Sequence, residues 1–377
     1  MDVELDHADR EIVAAVAARD RDIREIADVV GAHPELAHAE AFTSRFLAER
    51  LAAAGFAVRS GVGAVPTAFR ADFDSGRPGP TVGLVAVYDA VCAQRADGST
   101  EAVHACGHGP QSAGVLGAAL ALASVPGSWS GKVVVIGCPA DEIHSPGTIA
   151  NGSGKALTVA GGVWADVDAA LYAHPEFFDT VWLQSLWMRR LTTTIMGSRT
   201  LRAGAASAPM TSLHALLRLA DETDPAHVMI ETAVLDGDVE EGSPLMLSVR
   251  LLLWEATEDR LAALTDEVTG RFPDQRWTIA TEIPAIAPDS RVRDAVIDAF
   301  GALGRHPQLA PPSLPFATDF ADVSLVVPSA LIGVGREGGW RFHTDAGVPE
   351  FAGADGFELA AGTASVLALT VAWLGRA

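Results

Sequence analysis

The chain has 377 residues, 49% apolar and 20% charged, with a formal net charge of −21. That length exceeds one comfortable hydrophobic core and predicts two domains, and the composition excludes a disordered chain. So acidic a surface repels phosphate backbones and anionic lipid, which argues against nucleic-acid and membrane partners, and no apolar run is expected to reach the length of a membrane span.

The acidic start MDVELDHADREIV lacks an apolar leader core, and Cys92, Cys106 and Cys138 are an odd number. Both features predict a cytoplasmic protein without a disulfide framework. Residues 9–30 put Ile12, Val16, Ile23, Ile26 and Val30 on one helical face, predicting a helix that Gly31 closes. Residues 39–54 predict another, with Phe42, Phe46, Leu47 and Leu51 at helical spacing and Gly55 as the stop. Then the texture changes. TVGLVAV (81–87), KVVVIG (132–137) and VDAALY (167–172) are short, apolar and β-branched, and QSAGVLGAALALASV (111–125) between them is compatible with a helix. Such alternation predicts an α/β domain with a largely parallel sheet flanked by helices.

The three strands lead towards Asp89, Asp141-Glu142 and His174. Ligands of open α/β sheets bind beyond the carboxyl ends of the strands. From about residue 183 the pattern becomes strand, helix, strand, strand, helix, strand, which predicts a small α+β, ferredoxin-like layer. RVRDAVIDAFGALG is helical again, and the Pro-rich HPQLAPPSLP leads to ATDF, two short strands and RFHTDAGVPEF. The expected organisation is a discontinuous metal-binding domain, residues 1–182 and 291–377, interrupted by an inserted domain of residues 183–290.

The chemistry centres on HACGHG. Cys106 and His108 form a Cys-x-His pair on a glycine-containing turn, and thiolate and imidazole are good zinc ligands. A following helix would help keep the sulfur ionised. Alone, the pair reads as a small buried hydrophobe beside a loop histidine, since a free cysteine is more often that than a ligand. His104 is a candidate to support the pair from behind, Asp141-Glu142 alone reads as a solvated acidic loop, and His174 and His343 alone read as loop histidines.

Taken together, the segments HPELAHAEAFTSRFLAERLAAAGF, VYDAV, HACGHG, GCPADE, GKALTVAGGVWADVDAALYAHP, ATDFADVSLVVP and RFHT resemble, in order and spacing, the co-catalytic zinc amidohydrolases related to aminoacylase and the glutamate carboxypeptidases. The branch they resemble holds auxin-conjugate hydrolases, p-aminobenzoyl-glutamate hydrolase and β-alanyl dipeptidases. The resemblance implies that Cys106, His108, Glu142, His174 and His343 bind two divalent metal ions, zinc or manganese with cobalt admissible, and that Cys106 can bridge them. It implies Asp141 as the general base, and Asp89 and Asp319 as carboxylates behind the ligands. It implies a homodimer joined through the insert, which also serves as a lid, and hydrolysis of a small-molecule amide substrate.

Four departures from the family pattern stand out. HACGHD becomes HACGHG, with Gln111-Ser112 replacing a histidine-bearing continuation. The base is Asp141 where the family has glutamate, one methylene longer. The insert's GKAAHA becomes GSRTLRAGAASAP, so the histidine that aids the oxyanion falls on Leu201 or Gly204. Arg199 and Arg202 are the candidates to replace it, or else are surface arginines. An asparagine-bearing segment becomes VEEGSPLMLSV, with Glu240 and Glu241. The leading expectation is hydrolysis of a small N-acyl amino acid, dipeptide or related conjugate. The departures leave open a non-hydrolytic metal-dependent reaction, such as ring closure or bond cleavage, and a non-catalytic scaffold that keeps its metal.

Overall fold

The computed structural model describes residues 4–376, apart from Ala96, Ala203, Gly204, Ala206, residues 310–315 and Glu337. The Gly204 alignment position and part of the Pro-rich loop therefore lie outside the described residues. Two compact units divide the chain: Met1–Leu183 with Ile286–Pro312 and Asp319–Ala377, and Gln184–Ala285 with Ser313–Thr318.

The first unit opens with helices α1 (His7–Ala17), α2 (Asp20–Gly31) and α3 (Ala41–Ala53). The single helix expected over residues 9–30 is two, because Arg19 (φ −93°, ψ 5°) leaves helical geometry at the junction. The apolar face survives the break, and Ile12, Val16, Ile23, Ile26 and Val30 are all buried. Strands β1 (Ala57–Ser60), β2 (Phe69–Asp74) and β3 (Thr81–Ala86) follow, then the pair β4 (Val91–Gln94) and β5 (Thr100–Val103), helix α4 (His108–Ser124) and strand β6 (Lys132–Gly137). Helices α5 (Pro146–Asn151) and α6 (Gly154–Ala160) lead to β7 (Ala169–Glu176) and β8 (Thr180–Trp182).

The second unit contains β9 (Trp187–Ser198), α7 (Ala208–Glu222), β10 (Val228–Gly237), β11 (Pro244–Glu255), α8 (Glu258–Gly270) and β12 (Thr278–Ile283). Its strands lie in the order β10-β11-β9-β12, every pair antiparallel, as a ferredoxin-like layer requires. Leu191, Leu216, Leu219, Leu247, Leu251 and Leu261 belong to its own core. The chain then returns to the first unit with α9 (Ser290–Ala302), α10 (Phe320–Ser324), β13 (Ser329–Gly335), α11 (Gly347–Ala352) and α12 (Ala354–Leu374).

The first unit's sheet runs β1-β2-β6-β3-β7-β13-β8. Its centre, β6-β3-β7-β13, is parallel, and the outer pairings are antiparallel. The parallel centre carries near-continuous apolar runs because both of its faces are covered. Helix α4 is apolar all round, and residues His108 to Leu122 are buried.

Helix α12 corrects an expectation. It is 21 residues long with a mean hydropathy of 1.6, enough by length and composition to cross a membrane, and 67% of that stretch is buried within the fold. Its Leu359, Ala360, Ala364, Leu367 and Ala368 are part of the core that α4 shares.

The contact of α4 with α12 depends on a glycine inside a helix. A Cβ at Gly114 would stand 2.7 Å from the Thr363 Cβ and 2.8 Å from the Ala360 carbonyl oxygen, both on α12. Glycine-to-alanine in a helix interior ordinarily stabilises by about 1 kcal/mol. Here overpacking against backbone outweighs that gain, at roughly 1–3 kcal/mol. Gly114→Ala is therefore expected to lower the melting temperature in a thermal unfolding scan, and an unchanged or higher melting temperature would contradict this packing.

Candidate metal centre

Four chain segments bring the candidate residues together at the carboxyl ends of the parallel strands. The first is the turn Cys106-Gly107-His108. Gly107 sits at φ +80°, and a Cβ there would stand 2.6 Å from Pro175 Cγ and 2.7 Å from Phe351 Cε1. Only glycine lets the turn close so tightly, with His108 as the first residue of α4. The second is the loop after β6, where Ala140 has φ +55° and presents Asp141 and Glu142. The third is β7 itself. His174 lies within that strand, not after it as the sequence suggested. The fourth is the loop holding His343, at φ +56°, whose N–H donates to the Ala105 carbonyl at 2.8 Å.

The donor atoms fall into two groups that share one member. Cys106, His108 and His174 form one, and Cys106, Glu142 and His343 form the other, with all donor atoms of a group within 4.8 Å of each other. Cys106 Sγ is 3.6 Å from His174 Nε2, and His343 Nε2 is 3.6 Å from Glu142 Oε2. His108 Nδ1 donates to the Asp89 carbonyl at 2.7 Å, and His174 Nδ1 donates to the Pro175 carbonyl at 2.8 Å. Carbonyl oxygens can only accept, so each bond turns the Nε2 lone pair into the cluster, as metal-binding imidazoles require. His108 Nε2 and Glu142 Oε1 are buried atoms without a hydrogen bond. Two soft-to-borderline donor sets and two orphaned polar atoms suit two divalent cations.

Protons hold these places when no cation does. Burial opposes a charge on His108, but the Cys106 sulfur and the Asp141 and Asp89 carboxylates outweigh it and hold its pKa well above the usual range. Burial, aided by the nearby acids, raises Glu142 to about 7. Burial lowers His174 to about 4. The Cys106 thiol is pushed up by burial and by Glu142. A positive helix end does not offset full burial beside carboxylates. A divalent cation reverses the balance by displacing these protons.

Behind the donors, Asp89 Oδ2 accepts from the Glu142 N–H at 2.9 Å. Asp319 is paired with the Lys155 ammonium at 2.8 Å. His104 is buried, neither ring nitrogen is hydrogen-bonded, and burial lowers its pKa to about 4. Arg199 and Arg202 belong to the second unit. There the Arg199 Nε donates to the Asp238 carbonyl, and Arg202 is 84% exposed, 3.9 Å from Glu241.

Sequence reading missed four contributors. Lys155 is fully buried and pairs with Asp141 as well as Asp319. It is one of only two lysines in the chain, and its position in an otherwise apolar stretch was the available signal. The Tyr172 hydroxyl donates to both Asp141 oxygens, at 3.1 and 3.0 Å. Gln111, noted only as a departure, donates to the Val85 and Ala173 carbonyls and accepts from the Val87 N–H, tying β3 to β7 beneath the turn. Glu40 Oε1 accepts the Ala140 N–H at 2.9 Å and so steadies the unusual backbone that presents Asp141.

Comparison with known proteins fits this geometry. The model of peptidase family M20/M25/M40 matches residues 68–358. One of the subunits of the p-aminobenzoyl-glutamate hydrolase of Escherichia coli is 36% identical over 175 residues, 44% of this chain and 34% of that protein. The Xaa-Arg dipeptidase of Homo sapiens is 30% identical over 207 residues, 50% of this chain and 42% of that protein. The matches thus span less than half the length of these relatives. Among solved structures, a Bacillus subtilis protein described as a dinuclear metal binding peptidase from the M20 family superposes with a TM-score of 0.72, at 18% identity, covering 96% of this chain and 99% of that one. The aminobenzoyl-glutamate utilization protein of Klebsiella pneumoniae gives 0.69 at 16% identity, covering 95% and 98%.

Glu40 provides a test of this buried network. Burial, with the Asp89 charge, raises its pKa from an ordinary carboxyl value to about 7. The folded state therefore binds this proton more tightly than the unfolded state does. The associated stability is full below about pH 4.5 and is lost as pH rises through about 7. Glu40→Gln keeps an acceptor for Ala140 and a partner for Thr67. Denaturant unfolding at pH 5 and pH 8 is expected to show a smaller loss of stability on raising pH in the variant. An equal loss in both proteins would refute the assignment.

Proposed function

This chain belongs to peptidase family M20/M25/M40, and from that premise we propose that it hydrolyses an amide bond in a small N-acyl amino acid, dipeptide or related conjugate, using two divalent cations, zinc or manganese. The observation that carries the reading is the pair of donor groups sharing Cys106. One set would be Cys106, His108 and His174, the other Cys106, Glu142 and His343. Divalent cations held there would lower the pKa of an attacking water and polarise the scissile carbonyl.

The chain's own residues supply the rest. The Asp141 carboxylate takes the water's proton and returns it to the leaving amine. Its ionised form is favoured: burial works against the charge, but Lys155 and then His108 outweigh burial and hold its pKa well below the usual carboxylate range. Asp89 fixes Glu142 through its N–H and His108 through its carbonyl. Phe342 lies against His174, with ring centres 6.2 Å apart and planes at 17°. The names of the relatives support amide-linked amino acid derivatives as the substrate class.

The second unit is read as a lid and dimerisation domain. Its edge strand β10 exposes Met229, Val234 and Leu235, which supports a homodimer. Three cysteines that are all free thiols support a cytoplasmic location.

A second reading has its own observation. Asp141 is engaged by both Lys155 and Tyr172, so a metal-dependent but non-hydrolytic reaction is the alternative. Metal content, with turnover on a panel of N-acyl amino acids and dipeptides with added Zn²⁺ or Mn²⁺, separates the two. About two ions per chain with metal-dependent turnover is the expected result. Two ions without turnover on any amide favours the second reading, and no bound ion after reconstitution leaves a scaffold. In an active protein, Asp141→Asn is expected to lower kcat by about 10²–10⁴-fold and leave metal content intact. His174→Ala is expected to lower occupancy, and full occupancy would overturn its assignment as a ligand.

A further inference from the structure

A buried ammonium is costly unless it is paired, so the place of Lys155 calls for a reason. Its position is closely determined by the backbone. Gly154 opens α6 so close to the strand end that a Cβ there would overlap the Pro139 carbonyl oxygen, and Lys155 follows directly beneath Asp141. The ammonium pairs with Oδ1 of Asp141 and, at 2.8 Å, with Oδ1 of Asp319, and it lies 4.5 Å from the centre of the Tyr172 ring. The Tyr172 hydroxyl adds a second hold on Asp141.

The other face of Asp141 looks at the donors. Its Oδ2 is 3.2 Å from His108 Nε2. Two donors that share one tetrahedral zinc ion, each about 2.1 Å from it, are separated by roughly 3.4 Å. Asp141 therefore stands where it can become a ligand beside His108. A carboxylate that gives a lone pair to a dication is a much weaker base towards water, because the adjacent positive charge favours its ionised form.

We propose that Lys155 is a positioning residue: with the Tyr172 hydroxyl, its ammonium holds Asp141 back from the metal ions, so that the carboxylate remains a base and does not become a further ligand. The role of the base rests on the hydrolase reading above; the restraint rests only on the pairing. Without the ammonium, a dication is the strongest attraction left for Asp141.

Lys155→Met alone strands two buried carboxylates, so the test combines it with Asp319→Asn, which removes one charge of each sign. The wild-type protein is the reference, so that the net charge beside the site is the same in both. Zn²⁺ affinity is measured by chelator competition, and the Zn²⁺-loaded double variant is crystallised. The double variant is expected to bind zinc about tenfold more tightly than the reference, with Asp141 coordinated in the crystal. On an active substrate, kcat is expected to fall by about 10²-fold, with KM changed far less. A purely structural role would move zinc affinity the other way. Equal or weaker affinity, with Asp141 in its original place, overturns the proposal. Affinity and crystallography need no substrate, so a protein that turns over no amide refutes the hydrolase reading and leaves the restraint to be judged on zinc alone. Should the double variant not fold, Tyr172→Phe decides: tighter zinc binding supports the restraint, and unchanged or weaker binding overturns it.

Discussion

Negative charge buried at one point is the constraint on which this structure depends. Asp89, Asp141, Glu142 and Asp319 crowd the carboxyl ends of β3, β6 and β7 with the Cys106 sulfur among them. Lys155 is the ammonium that meets them, and it pairs with two of the four. Burial of so many acids is costly unless they are neutralised. Free of metal, the cluster draws protons onto His108 and Glu142. Charge alone therefore makes it a place that stabilises cations, and the sharing of Cys106 between two donor groups divides that capacity in two.

The scaffold supplies what charge cannot. A parallel sheet delivers loop residues to one edge, and here three loops and one strand interior converge there. Their backbones depart from common geometry where the donors are held. Gly107 is left-handed beside Cys106, Ala140 beside Asp141, and His343 at the donor itself. Such conformations persist only when neighbours fix them. Glu40 fixes Ala140, the Ala105 carbonyl fixes His343, and packing of Pro175 and Phe351 fixes Gly107. The core built by α4 and α12 is therefore also the support of the turn, because α4 begins at His108.

Much of this was legible in sequence. The apolar strands, the strand-helix alternation and the order of the insert's elements follow from periodicity, which one chain displays fully. HACGHG, PADE, AHP and FHT pointed to residues that the fold brings together, because histidine and cysteine are rare and their spacing is informative. What stayed hidden depends on contacts between distant positions. The antiparallel β1, β2 and β8 are too short or too polar to announce themselves. The helix break at Arg19 preserves the apolar face, so periodicity did not reveal it. Lys155 and Tyr172 carry no motif, and only the fold places them beneath Asp141. A helix end beside Cys106 is visible in sequence, whereas the burial among acids that raises its thiol in the absence of a cation is not.

The departure at Gly109 to Ser112 is a change in how the turn is held. A side chain at 109 would project towards the end of α2, where the nearest atoms are the Ala27 carbonyl and the Gly31 N–H, each 3.5 Å from a Cβ. Glycine there brings no ionisable side chain of its own to the turn. The support passes to Gln111, whose amide bridges β3 and β7 through three hydrogen bonds, and to Ser112, whose hydroxyl donates to the Val87 carbonyl. Neutral groups serve this purpose at every pH, and they add no anion to a cluster already short of cations. The charge that remains is concentrated on side chains that face the donors or brace them directly. An otherwise puzzling loss of a carboxylate thus fits the electrostatics of the site: the outer framework is neutral, and the charge lies where a cation can meet it.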